Sequence, residues 1–120
     1  MTSSINISPP YSLIFIADSG GGEIPDRMVR PITSTDSCIV VSCLADVDGE
    51  TEFTLGETHD VDPGDPPIFR GKLKTPNYRI VLHTAEDETI LQVSVPQRET
   101  IVRIWVNDPS EPDQVIVGIG

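Results

Sequence analysis

The sequence predicts an all-β protein, a single-domain antiparallel β-sandwich of about eight strands. Apolar segments recur about every eight to twelve residues, which is typical of a sandwich or barrel. Eleven prolines and nine glycines supply many turns between these segments. No stretch of about eleven residues has helical periodicity, so the crossover helices that parallel sheets require are missing. A chain of 120 residues is typical of one domain, here residues 1–120.

The first third of the chain predicts two strands and two irregular segments. Residues 1–10 are polar and end in Pro9-Pro10, so we expect a loose N-terminal arm. A first strand follows at residues 11–17. Residues 18–26 contain three consecutive glycines without the Gly-Lys-Ser/Thr ending of a phosphate loop, which favours a flexible turn. Residues 27–35 surround Pro31 and fit the edge of a sheet, where a missing N–H does no harm.

The middle of the chain predicts a β-hairpin over residues 37–55. A long β-branched run precedes the pair Asp48-Gly49, and a second short strand follows it. Asp-Gly is a preferred pair for a tight hairpin turn. Because residues 39–45 are apolar on both faces, we expect this strand to lie inside a sheet.

The rest of the chain predicts a polar loop and a series of strands. Residues 56–67 combine turn formers with acids and fit a loop at the rim of the domain. Glu86-Asp87-Glu88 fits the tip of a further hairpin, and Trp105 fits a core or sheet-packing position. The remaining predicted strands are residues 68–75, with a basic row, and residues 78–85, 89–95, 100–107 and 114–119.

Charge supplies the strongest indication of function. The formal net charge is −11, which disfavours nucleic-acid phosphates and anionic membranes as partners and favours a basic protein. Residues 31–69 hold nine acids and no Lys or Arg, whereas residues 70–103 hold six basic residues and four acidic ones. If these sections lie on different faces, the molecule has a charge dipole. The alternative is that the acids only keep the protein soluble.

We therefore predict that the acidic hairpin and the loop after it bind a basic protein partner. The candidate partner-binding residues are Asp46, Asp48, Glu50, Glu52, Glu57, Asp60, Asp62 and Asp65. The function class is a non-enzymatic interaction protein, and a homo-oligomer stays open.

A second hypothesis uses some of the same acids as metal ligands. Two acidic loops at one end of a sandwich could share a Ca²⁺ ion, which takes about six to eight oxygen ligands. The first loop lacks the glutamate that closes a calcium loop of about twelve residues, so we predict no metal. The alternative is a calcium-dependent binding module of C2-like or similar β-sandwich type. Its candidate ligands are Asp46, Asp48, Asp60, Asp62 and Asp65.

No residue pattern indicates catalysis or a cofactor. Cys38 and Cys43 lie on one predicted strand, about 16 Å apart, which is too far for a disulfide. Two unpaired thiols fit a reducing, cytoplasmic location, and an intermolecular bridge stays open. His59 and His83 have no nucleophile signature around them, so we predict that the protein is not an enzyme and carries no cofactor. The apolar run at residues 13–17 lacks preceding basic residues and a cleavage site, which favours a strand over a signal peptide.

The C-terminal third resembles a known family. The segment Leu91-Gln92-Val93-Ser94-Val95-Pro96 is followed by Trp105 in the next strand and by a closing strand at residues 114–119. In these features the chain resembles the bacterial competence protein J family, small β-sandwich proteins that inhibit a DNA-entry nuclease. It departs from the family at Arg98 and Thr100, where a Gly and an aromatic residue are expected. The resemblance implies a binding protein that blocks a nuclease, and the acidic residues suggest competition for the basic groove that holds DNA.

Overall fold

The computed structural model describes residues 2–120 and contains ten β-strands in two sheets of five. A helix of four residues, α1 (Thr58–Val61), and short 3₁₀ turns at Pro10–Ser12 and Asp46–Asp48 connect strands. The strands are β1 (Thr2–Ile7), β2 (Leu13–Asp18), β3 (Ile32–Ser34), β4 (Cys38–Ser42), β5 (Thr51–Glu57), β6 (Phe69–Lys74), β7 (Arg79–Thr84), β8 (Thr89–Ser94), β9 (Glu99–Val106) and β10 (Gln114–Ile119).

Sheet A has the strand order β1-β5-β10-β9-β6, and sheet B has the order β3-β4-β2-β7-β8. Within the described chain, the strand pairs are antiparallel except for β5 and β10, which run parallel. The all-β, mainly antiparallel fold predicted from the sequence is therefore confirmed, with ten strands instead of about eight.

The core lies between the two sheets and follows the two-residue period of the strands. Ile80 and Leu82 of β7 are fully buried, as are Val102 and Ile104 of β9, while their neighbours along each strand face outward. Phe53 of β5 joins them in one cluster that draws residues from both sheets. The structure thus buries the alternating apolar residues between two layers, as a sandwich requires.

The predicted hairpin over residues 37–55 is wrong. β4 lies in sheet B and β5 in sheet A, so the two strands do not pair. Residues 43–50 cross from one sheet to the other, and the N–H of Leu44 donates to the carbonyl of Pro112, 2.8 Å away. The Asp-Gly pair predicts a change of direction, but eight residues are long enough for the chain to leave its own sheet. The interior position predicted for residues 39–45 is correct for the strand β4, which lies between β3 and β2 and has all its residues buried.

The predicted loose arm at residues 1–10 also needs correction over its described part. Thr2–Ile7 forms the edge strand β1, which pairs with β5. Ile5 and Ile7 pack against the core, while the residues between and before them are exposed. An edge strand has only one partner and a polar outer face, so its sequence resembles that of a loop.

Several smaller predictions agree with the structure. β3, just after Pro31, is an edge strand of sheet B. β7 and β8 form a hairpin whose turn contains Glu86, Asp87 and Glu88. The predicted polar loop of residues 56–67 differs from the structure at its start. Its first two residues belong to β5, and the next four form α1. No helix in the described part of the chain is long and apolar enough to cross a membrane.

Candidate functional site

Four connections meet at one end of the sandwich: residues 8–12, 43–50, 85–88 and 108–113. In sheet B, Leu13 pairs with Ser42 and Ile14 pairs with Thr84, which brings the first three connections to the same side. The hydrogen bond from Leu44 to Pro112 attaches the fourth. We call this group of connections the acidic end.

The acidic end carries nine carboxylates, and its four connections contain no Lys or Arg. All nine side chains are exposed to solvent. Like charges gathered on one end create a negative potential that extends into solvent over about a Debye length, roughly 8–10 Å at ordinary salt. The carboxylates are Asp46, Asp48, Glu50, Glu86, Asp87, Glu88, Asp108, Glu111 and Asp113.

The turn between β9 and β10 is held by its own side chains. The Asp108 carboxylate accepts hydrogen bonds from the N–H and the hydroxyl of Ser110, each 2.9 Å long, and a longer one from the N–H of Glu111. These bonds lower the pKa of Asp108, so its charge persists into more acidic solution. The side-chain oxygen of Asn107 accepts the N–H of Asp113 at 3.1 Å. The carboxylates of this turn are thus presented on an ordered backbone.

An apolar pair lies among these carboxylates. Tyr11 is 77% exposed and Val47 is 87% exposed, and the two 3₁₀ turns that carry them pack against each other. Tyr11 and Ser12 both have positive φ, 60° and 59°, a conformation that side-chain-bearing residues rarely adopt. A hydrogen bond from the Cys43 N–H to the Ser12 carbonyl holds this strained segment in place. Such strain concentrates at functional sites.

The structure divides the eight predicted partner-binding residues between different places. Asp46, Asp48 and Glu50 belong to the acidic end, and Glu52 is exposed near the start of β5, with its N–H bonded to the Asp113 carbonyl. Glu57 is at the opposite end of β5, which has seven residues and therefore spans roughly 20 Å.

The remaining predicted partner-binding residues, Asp60, Asp62 and Asp65, lie in the segment after β5. Asp60 lies in α1 and Asp62 immediately after it, at the end of the sandwich opposite the acidic end. Asp65 lies farther along, over the outer face of sheet A, where its carbonyl accepts the Trp105 indole N–H at 2.7 Å. The eight predicted partner-binding residues therefore lie in three separate places: the acidic end, the opposite end and the outer face of sheet A.

The opposite end has mixed charge and an open groove of about 760 Å³. The residues that line this groove include Glu57, His59, Asp62 and Glu99. Lys72 pairs with Glu99 at 3.7 Å, and Lys74 pairs with Asp36 at 2.9 Å. The charge separation thus follows the two ends of the sandwich, not two sections of the chain.

The five calcium candidates do not meet in one place. Within residues 2–120, the one group of three metal-ligating side chains consists of Glu57, His59 and Asp60, whose ligand atoms all lie within 4.8 Å of one another. Of the five candidates only Asp60 belongs to it.

The two cysteines and His83 have the burial and contacts of structural residues. Cys38 and Cys43 are free and buried, and burial raises the pKa of Cys38 to about 11 and that of Cys43 above its usual value. An activated thiol has a lowered pKa instead. The His83 ring stacks on Phe15 with centroids 5.3 Å apart, and its Nδ1 lies 3.0 Å from the Thr84 carbonyl oxygen.

Sequence reasoning missed more than half of the acidic end. Glu86–Glu88 and Asp108–Asp113 are recognisable in the sequence as acidic turns, but only the strand pairing shows that they join Asp46–Asp48. Tyr11 was assigned to the first strand, and its conformation has no sequence signal.

No protein-family model and no curated protein sequence matches the chain. Among solved structures, the fold is similar to the crystal structure of ComJ from Bacillus subtilis, described as the inhibitor of the DNA degrading activity of NucA. The two share 11% sequence identity and superpose with a TM-score of 0.66, over 98% of this chain and 93% of ComJ. The likeness therefore covers the fold from end to end, well beyond the C-terminal third on which the sequence resemblance depends.

Proposed function

We propose that this protein is a non-enzymatic inhibitor of a nuclease and that the acidic end binds the basic surface with which the nuclease holds DNA. The nine exposed carboxylates of the acidic end carry the proposal. The shared fold with a nuclease inhibitor supports the choice of partner.

Electrostatics supplies the mechanism. A nuclease that binds DNA presents cationic side chains to phosphates, and those side chains also attract carboxylates. The acidic end offers a dense set of negative charges. Its four connections contain no Lys or Arg, and Arg30 lies at its border, near Cys43. Such a surface accelerates association with a basic partner and occupies the place of the substrate.

Tyr11 and Val47 provide the short-range part of the interaction. Charges at the rim of an interface mainly affect the association rate, whereas a buried aromatic anchor mainly slows dissociation. Tyr11 projects from an ordered turn, so little conformational freedom is lost when a partner covers it. We assign Tyr11 the role of central anchor, surrounded by the carboxylates.

The test is DNA cleavage by purified NucA in the presence of increasing amounts of this protein. We expect inhibition that saturates near one equivalent and weakens as salt is raised. Tyr11→Ala removes no charge and is expected to raise the half-inhibitory concentration about tenfold or more. Ile24→Ala, an exposed apolar residue next to Glu23 and far from the acidic end, is the matched control and should inhibit like the parent.

Undiminished cleavage at low salt with about a tenfold molar excess of the protein would contradict the proposal. Inhibition that does not weaken as salt is raised would contradict its electrostatic part. Equal inhibition by the parent and Tyr11→Ala would contradict the anchor role of Tyr11.

A further inference from the structure

The groove at the end of the sandwich opposite the acidic end carries a compact set of three potential ligands. The Nε2 atom of His59 lies 3.4 Å from Oε2 of Glu57 and 3.4 Å from Oδ1 of Asp60. We propose that Glu57, His59 and Asp60 bind a divalent transition-metal ion of the Zn²⁺ or Ni²⁺ type. This site is independent of the proposed nuclease interaction.

The backbone under the three side chains is fixed by the sheet. Glu57 is the last residue of β5, and α1, which carries His59 and Asp60, packs on β5 and β10. Thr58 approaches β10 closely at Gly118, where a Cβ atom would lie 2.8 Å from the Thr58 hydroxyl oxygen. The absence of a side chain at Gly118 therefore lets α1 sit directly on the sheet, which fixes the backbone positions of His59 and Asp60 relative to Glu57.

The observed spacing suits tetrahedral coordination. Zn²⁺ binds His nitrogen and carboxylate oxygen at about 2.0–2.2 Å, so neighbouring ligand atoms in a tetrahedral site lie about 3.3–3.6 Å apart. Both distances from His59 fall in this range. An ion can therefore be placed among the three atoms with small side-chain rotations, since all three lie within 4.8 Å of one another.

The donor types select the metal. Imidazole suits Zn²⁺, Ni²⁺ and Cu²⁺, whereas Ca²⁺ and Mg²⁺ prefer oxygen ligands alone. Two carboxylates and one imidazole give the site a formal charge of −2 before the ion binds. The three side chains are accessible from solvent, with 76% of His59 exposed. The groove beside them leaves the fourth position open to water or to another donor.

Isothermal titration calorimetry of tag-free protein in metal-free buffer tests the inference. We expect saturable binding of one Zn²⁺ or Ni²⁺ ion, and no binding of Ca²⁺ at the same concentrations. His59→Ala should weaken the affinity for Zn²⁺ at least about tenfold. Asp48→Asn removes a carboxylate at the acidic end and should bind Zn²⁺ like the parent.

The alternatives give different results. Because His59→Ala keeps His83, unchanged Zn²⁺ binding in this variant would overturn the site, as would the absence of saturable heat in the parent. Equal affinity for Ca²⁺ and Zn²⁺ would overturn the role of the imidazole. Since His59 is on the surface, thermal melting in the absence of metal should be the same for parent and variant, so that lost binding reports lost ligation.

Discussion

Asp18 shows how one polar residue connects distant parts of this fold. Its side chain is buried at the end of β2 and accepts hydrogen bonds from the Gly20 N–H at 2.8 Å, the Asn77 N–H at 2.9 Å and the Asn77 side-chain amide at 2.6 Å. Burial by itself would raise the pKa of Asp18, but these bonds favour the carboxylate and bring the pKa below the ordinary value. The charge therefore stabilises the connection between β2 and the turn before β7.

Asp18→Ala should lower the free energy of unfolding by about 2–3 kcal/mol at pH 7, because buried N–H groups lose a charged acceptor. The folded-state pKa is lowered, so the stabilisation is complete above the ordinary Asp pKa of 3.8 and is lost as the pH falls through the folded-state value. Urea unfolding of parent and variant between pH 7 and pH 2 measures this difference in stability. The difference should shrink as the pH approaches 2.

Asp108→Ala is the control for this effect. Asp108 also has a lowered pKa, but it lies on an exposed turn where water can replace the carboxylate. A loss of stability in Asp18→Ala no greater than in Asp108→Ala would show that burial does not give the Asp18 contacts their importance.

The sequence predicted which segments form β-strands better than it predicted which strands pair. The alternation of apolar residues identified β7, β9 and β10 because a strand with one buried face has a period of two. The pairing of β4 with β2 and β3, and of β5 with β1 and β10, depends on residues far apart in the chain. No local pattern records those contacts, so the sequence predicted a hairpin where the chain changes sheets. The polar edge strand β1 was missed because only Ile5 and Ile7 mark it as strand.

The segment between β2 and β3 covers the outer face of sheet B. Met28 packs on the apolar group of Phe15, Cys38 and Val40, and the Glu23 N–H donates to the Ser37 hydroxyl at 2.8 Å. Gly22 permits this close approach, because a Cβ atom there would lie 2.0 Å from the Ser37 carbonyl oxygen. Gly22 is therefore a packing requirement as well as part of a turn.

Gly22→Ala should destabilise the protein by about 3 kcal/mol, because either the covering segment or the backbone at Ser37 must move. Gly21→Ala is the comparison: nothing lies within 4 Å of its added methyl group, and only the positive φ of 95° opposes it, which costs about 1 kcal/mol. Denaturant unfolding of both variants measures the difference. Equal losses would contradict the packing role of Gly22.

For the molecule as a whole, the sign of the charge was predictable and its location was not. Net charge follows from composition alone, and its sign is the basis on which we propose a basic protein partner. The eight residues selected from the sequence are neighbours along the chain, but β5 separates them by its full length. The acidic turns at Glu86–Glu88 and Asp108–Asp113 are distant in sequence and join Asp46–Asp48 because hairpins and sheet crossings end on the same side of the sandwich.

We propose that the location of the carboxylates, not the total charge, makes the acidic end the binding surface. Two variants with the same net charge separate these possibilities: Asp46, Asp48 and Glu50 all changed to Lys, and Glu57, Asp60 and Asp62 all changed to Lys. The measurement is the rate of association with NucA at several salt concentrations. We predict that the first variant associates at least about tenfold more slowly at low salt and depends less on salt, while the second stays close to the parent. Equal slowing in both variants, or slowing only in the second, would contradict the assignment of the binding surface to the acidic end.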